Sequence, residues 1–232
     1  MDFLGFAEEL AKTGLVVFTV GDAVRITGKK RDYCRLFLNR LARRGKLTRV
    51  ERGKYISKDA DLYAVASNLV FPSYVSFLSA LSLHKLTTQI PFEVQVACAV
   101  QKKPVEFGNA RIMFVKMKKS TLFGFKREGG AFVAEPEKAV VDGLYLPRKM
   151  PVSEAFYAIE QKEMSVEKLE EYAERLGSAV VKKRLGFLLE KAGLQTRLPS
   201  RLNRKIDVLN TLRPAEGEKS AKWRLVINEV LG

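Results

Sequence analysis

Apolar residues at the start of the chain recur at helical spacing. Phe3, Leu4, Phe6, Ala7, Leu10 and Ala11 lie within residues 2–13, with acidic residues early, Lys12 late as a helix dipole favours, and Gly14 as the stop. A short apolar run, Leu15 to Phe18, leads to Thr19, whose side chain suits the N-cap of a second helix over 20–26, ended by Gly28. A third helix is predicted over 29–44, stopping at Gly45. LTRV, the turn ERG and KYIS then alternate as a short hairpin. Three helices followed by a hairpin is the order of a winged helix-turn-helix, here assigned to residues 1–58. Stepping about 100° per residue along the third helix turns Tyr33, Cys34, Phe37, Leu38 and Leu41 to one side. Arg31, Asp32, Arg35, Asn39 and Arg43 turn to the other, so one face reads as core and the other as cationic.

From residue 62 the pattern changes without a Gly/Ser linker, and a second domain over 59–232 is expected to adjoin the first directly. A helix over 62–70 should stop near Pro72, and SYVSFLSALSLHKL reads as another. FEVQVACAV and ARIMFVKM have the alternation and β-branched content of strands, and TLFGFKREGGAFVAE that of a hairpin turning at Gly129-Gly130. Pro136 opens a helix over 136–146. Further helices are expected over 153–162, 165–176, 178–192 and 199–212, and WRLVINEVLG fits either a strand or a helix. The predicted class is α+β: an N-terminal winged helix-turn-helix plus a larger mixed α/β C-terminal domain with a helical C-terminal part.

Charge sharpens this picture. The 232 residues carry 41 Lys+Arg against 26 Asp+Glu, a net charge of +15. Such an excess attracts a polyanion, either nucleic acid, whose condensed counterions each contact releases, or an anionic surface. Cys34 and Cys98 have neither CxxC nor metal-site spacing and read as reduced core thiols. The first residues, MDFLGFAEELAKTG, lack the basic and apolar pattern of a leader, and no run of about 18 apolar residues occurs, so a cytoplasmic protein with no membrane partner is expected.

The basic winged helix points to double-stranded DNA. Such a module lays its third helix in the major groove, where arginine can pair bidentately with guanine and asparagine with adenine. Arg31, Arg35 and Asn39 are the base-reading candidates, and Lys29, Lys30 and Arg43 complete the recognition helix. Arg49, Arg52 and Lys54 on the hairpin, with Gly53 at its turn, are expected to meet phosphate or the minor groove. No catalytic residue, metal or cofactor is expected: His84 is the single histidine, and neither GxxxxGK[ST] nor GxGxxG occurs. Glu135, Glu137 and Asp142 could hold Mg²⁺ for nuclease chemistry, but Glu137 at a helix start and Asp142 one turn from Lys138 have plain structural readings. The basic runs Lys102-Lys103, Lys116 to Lys119, Lys182 to Arg184 and Arg197 to Lys205 are either solvated faces or a second nucleic-acid surface.

Five segments give the chain a family look: ERGKYI at 51–56, PSYVSFLSALSLHKLTTQIP at 72–91, TLFGF at 121–125, AEPEKAVVDGLY at 134–145 and KRLGFLLEKAG at 183–193. They resemble the AbiEi-type antitoxins, the regulatory halves of type IV abortive-infection toxin-antitoxin systems. The resemblance implies a bifunctional protein. Its winged helix would repress its own operon by binding an inverted repeat at the promoter, as a dimer or as two cooperating monomers. Its C-terminal domain would oppose a nucleotidyltransferase-like toxin without a stable complex. The residues carried over are those of the third helix and wing; the C-terminal segments match in pattern, with no residue role attached, and the tail after about 194 lies outside the likeness. A solitary transcription factor with a ligand-binding or assembly domain is the alternative.

Overall fold

The computed structural model describes residues 2–200 and 202–231. Helix α1 (Phe3–Thr13) is capped by Asp2, whose Oδ1 accepts from the Gly5 amide at 3.0 Å. A two-residue strand β1 (Phe18–Thr19) precedes α2 (Val20–Thr27) and α3 (Arg31–Arg43), and the hairpin β2 (Leu47–Glu51) and β3 (Lys54–Ser57) follows. β3 lies between β1 and β2, antiparallel to both, with Phe18 opposite Tyr55. This is the winged helix-turn-helix arrangement: helices closed by a small sheet whose hairpin is the wing. Its core gathers Phe6, Leu10, Phe18, Ala23, Cys34, Leu38, Leu41, Leu47 and Tyr55. Phe6 meets Phe18 and Phe37 edge-on at 5.9 and 5.4 Å, the geometry that aromatic quadrupoles favour.

The rest of the chain is built on a six-stranded sheet. After α4 (Leu62–Asn68) come β4 (Ser73–Val75), α5 (Phe77–Leu83), β5 (Glu93–Cys98), β6 (Val105–Phe107), β7 (Ala110–Lys116), β8 (Phe125–Glu128) and β9 (Ala131–Ala134). The spatial order is β6-β7-β5-β4-β9-β8, with β5/β7 and β4/β9 parallel and the other pairs antiparallel. Val75, Val94, Val96, Cys98, Ile112 and Phe114 face one side, where they pack with Val65 of α4, Leu69 just after it, and Ile56 and Val50 of the wing hairpin. Tyr74, Ala97 and Val115 face the other, under α6 (Pro136–Tyr145), α7 (Val152–Glu160), α8 (Val166–Leu176) and α9 (Ala179–Lys191). The winged helix is therefore docked on the sheet by its wing strands. Lys102 pairs with Glu51, Lys54 reaches the Leu69 carbonyl, and Arg127 donates to the Gly14 carbonyl at 2.9 Å.

Three expectations change. SYVSFL begins as a strand, not a helix: β4 is buried on both faces, so it lacks the alternation that marks a half-buried strand. The short edge strand β6 was not foreseen. Among the described residues no helix forms over 199–212, and the described helices end with α9. The tail instead makes a small sheet of β10 (Asp207–Val208), β11 (Glu218–Ser220) and β12 (Leu225–Ile227), the last resolving WRLVINEVLG as a strand. Arg201 of the expected 199–212 helix and basic run, and Gly232 of the final segment, lie outside the described residues. The tail is held by α9: Lys183 Nζ bonds Asp207 Oδ2, Asn203 Oδ1 and the Lys205 carbonyl at 2.6–2.8 Å, and Arg184 donates to the Val208 and Leu144 carbonyls. Gly186 lets the Trp223 ring lie on the α9 backbone, since a Cβ there would stand 2.1 Å from the indole.

Candidate nucleic-acid interface

Helix α2 is fixed by a capping box. Thr19 Oγ1 accepts from the Asp22 amide, and Asp22 Oδ2 accepts from the Thr19 amide at 2.7 Å. Partial burial of the Asp22 carboxyl works against ionisation, but the Thr19 hydroxyl and amide and the Arg25 guanidinium hold its pKa below the usual carboxylate range. Gly28, at φ 65°, caps α2 in the left-handed region and turns the chain through Lys29 and Lys30 into α3. The Cys34 sulfur sits 3.2 Å from Thr27 Oγ1 and ties this turn to the first turn of α3. Both cysteines are free and buried.

The turn changes the place of two expected residues. Lys29 and Lys30 precede α3, Lys30 being its N-cap, and both are exposed. On the helix, Cys34, Leu38 and Leu41 are the buried seam. Arg31, Arg35 and Arg43 are exposed, with Arg35 3.1 Å from Asp32 across one turn. Asn39 is half-buried, and its Oδ1 accepts from Tyr55 Oη at 2.8 Å, so its amide braces α3 against β3. Tyr33, placed by spacing on the core side, is 46% exposed and stacks on Phe37. Leu36 is 54% exposed and stands opposite the buried seam, beside Arg40 and Arg43.

On the wing, Arg49 and Arg52 are exposed, whereas Lys54 is turned inward to Glu51 at 3.2 Å and to Leu69. Lys102 and Lys54 hold the half-buried Glu51 carboxyl ionised against its burial, lowering its pKa. Lys54 therefore belongs to the seam between wing and sheet, bonded to Glu51 and to the Leu69 carbonyl just after α4. Arg40, Arg44 and Lys46 are exposed at the end of α3 and were not singled out by residue pattern. The run RLARRGK was their trace in the sequence.

The carboxylates considered for metal chemistry have other partners. Asp142 is buried against Lys138, and its Oδ2 also accepts from Tyr74 Oη at 3.0 Å and Ser76 Oγ at 2.8 Å. Burial pushes Asp142 up and Lys138 down in pKa, against their mutual attraction. Glu135 meets Lys126 at 2.6 Å, Lys168 at 2.9 Å and the Tyr172 hydroxyl. Burial opposes its charge, but these donors bring its pKa down to about 2. Glu137 accepts from the Ser165 amide. Among the described residues no group of three or more His, Cys, Asp or Glu is placed to hold a metal ion. His84 Nε2 lies 2.8 Å from the Ala134 carbonyl, and no described helix is long and apolar enough to cross a membrane.

The fold is similar to that in the crystal structure of the RV2827C protein from Mycobacterium tuberculosis, with 16% identity and a TM-score of 0.61 over 95% of this chain and 90% of that one. At that identity the likeness speaks for the fold alone. No curated protein matches the sequence. The family match stops at residue 58, so the segments between 72 and 193 lie outside it. Within residues 6–58, which hold most of α1, the helix-turn-helix and the wing, the chain matches the family of transcriptional regulators described as AbiEi antitoxins, and this module is that of a DNA-binding regulator.

Proposed function

We propose that the protein represses its own operon through residues 1–58 and acts through residues 59–232 as the antitoxin of a type IV system, opposing a nucleotidyltransferase-like toxin. The observation that carries the DNA half is the outward face of α3, where Arg31, Arg35 and Arg43 stand clear of the core. These three are the proposed readers of base edges, with Leu36 among them as an apolar contact suited to a thymine methyl group. Lys29 and Lys30, at the start of α3, and Arg49 and Arg52 on the wing are proposed to neutralise phosphate. Asn39 and Lys54 take bracing roles, since Asn39 Oδ1 already accepts from Tyr55 and Lys54 Nζ already meets Glu51 and Leu69.

The partner is double-stranded DNA with an inverted repeat, met by two copies as a dimer or as cooperating monomers. The wing's docking on the sheet supports a fixed spacing between the reading helix and the larger domain, which would set half-site separation on the duplex. We read the second domain as non-catalytic and the protein as cytoplasmic.

Footprinting on the region upstream of its own gene tests repression, and a protected inverted repeat is expected. An unprotected promoter would remove that half of the reading. Co-expression with an adjacent nucleotidyltransferase gene tests the other half, and persistent toxicity would remove the antitoxin role.

A further inference from the structure

A groove of about 840 Å³ opens at the carboxyl ends of the parallel strands β5 and β7. In sheets of this kind the crevice beyond parallel strand ends is a recurrent place for ligands. Its walls come from five parts of the chain: Gln101 after β5, Lys116 ending β7, Arg148 and Lys149 after α6, Val180 of α9, and Ile206 of the tail. A smaller hollow shares Lys116 and Tyr145 with it and adds Lys118 and Lys119.

The cations at this groove and the hollow beside it are unmatched by acids. Lys116, Lys118, Lys119, Arg148 and Lys149 make no ion pair among the described residues. Lys126, Lys138, Lys168, Lys182, Lys183 and Lys222 all have carboxylate partners. The acid that lines the groove, Asp207, is already met by buried Lys183 and by Lys205. Three unmatched cations, Lys116, Arg148 and Lys149, therefore meet at this groove from segments more than a whole helix apart in sequence, and Lys118 and Lys119 line the hollow beside it. Beside them Leu146, Val180, half-buried Tyr145 and 53%-exposed Ile206 form an apolar wall.

We propose that this groove binds the nucleotide unit, its phosphates against Lys116, Arg148 and the Lys118-Lys119 pair and its base against Tyr145 and Ile206. The volume lies within the range of about 300–1,000 Å³ usual for small-molecule sites. The charge exceeds what a single carboxylate or phosphate would call for, and the apolar wall gives a planar base a place that a bare anion would not use. The unit comes either as a free nucleoside triphosphate or within a single strand. The site is separate from α3 and stands whether or not that helix reads DNA.

Calorimetric titration of the full chain with ATP, with oligo(dA) and with tripolyphosphate tests this. Saturable binding of ATP or oligo(dA) is expected, and whichever binds identifies the source of the unit. Lys116→Ala/Arg148→Ala should weaken it at least tenfold, with the near-ultraviolet signal of Trp223 reporting that the fold persists. Lys118→Gln/Lys119→Gln, on an exposed loop, is the second variant and should weaken it several-fold. Lys162→Gln/Lys219→Gln, at exposed cations away from the groove, should leave the affinity unchanged. The proposal is overturned if neither ATP nor oligo(dA) saturates, if tripolyphosphate binds as tightly as ATP, or if the groove variants match the wild type. An equal loss in the Lys162→Gln/Lys219→Gln variant would overturn it as well.

Discussion

Two helices of this chain carry similar runs of positive charge and use them in opposite ways. On α3, Arg31, Arg35 and Arg43 project from a helix whose other side fills the core of the winged helix. On α9, Lys183 and Arg184 are buried, and their donors are spent on Asp207, Asn203 and the carbonyls of Leu144, Lys205 and Val208. Burial lowers the Arg184 pKa to about 10 even though Asp207 opposes the shift. The first run is available to a partner and the second holds the tail onto the fold. A cluster of lysine and arginine thus says that anions or carbonyls are near, but not whose they are.

The largest expected effect tests the α9 side of this contrast. Lys183→Ala leaves the Asp207 carboxylate and two oxygen acceptors without their buried donor, and should cost about 3 to 5 kcal/mol of stability. Urea denaturation measures it, and DNA affinity of the still-folded fraction should not change. An unchanged midpoint would mean that the tail is not held by this staple.

Acid provides the next test. Glu135 has a folded-state pKa near 2, below its ordinary value, so its contribution is present above the ordinary glutamate range and is lost as pH falls from about 4.5 towards 2. Thermal melts across that window should show the loss, and Glu135→Gln should flatten it. On α3, Arg35→Ala should weaken the specific site by about 1 to 3 kcal/mol, the value of a bidentate base contact, while the urea midpoint stays put. Loss of stability without loss of sequence preference would place Arg35 with the α9 residues.

Smaller still, Tyr55→Phe removes the bond to Asn39 and should cost about 1 kcal/mol of stability. The least change in affinity is expected from Arg52→Ala. It should weaken all sequences alike and flatten the salt dependence by about one unit of slope, as one lost phosphate contact does. If Arg35→Ala and Arg52→Ala behave identically on specific and random DNA, the division between reader and wing fails.

Much of the first module was legible because its signals are local. Thr19 and Asp22 are three residues apart, Gly28 ends α2 at its own position, and the Cys34, Leu38 and Leu41 seam follows from helical spacing. Tyr33 and Asn39 were misplaced for a common reason: spacing gives a direction around the helix but not the extent of the neighbour. Phe37 occupies the flank where Tyr33 stacks, and Tyr55 reaches Asn39 from β3. The inward turn of Lys54 could not be read from the hairpin pattern, because its acceptor, the Leu69 carbonyl, lies beyond the hairpin, just after α4. The tail failed more completely. Its strands are two or three residues long and owe their place to donors on α9 and to the bare backbone at Gly186, none of which leaves a periodic trace nearby.

The sequence by itself determined the element order of the winged helix, the strands β5 and β7, the β8–β9 hairpin and the helices α6 to α9. Each is set by caps, turns and periodicities that act within a few residues. Tertiary structure alone decided which cations are free. Lys183 and Lys116 are alike as letters, and the low-dielectric interior assigns them differently. A charge inside must find a counter-charge or carbonyl, while one on a groove edge keeps its water and can exchange it for a ligand's phosphate.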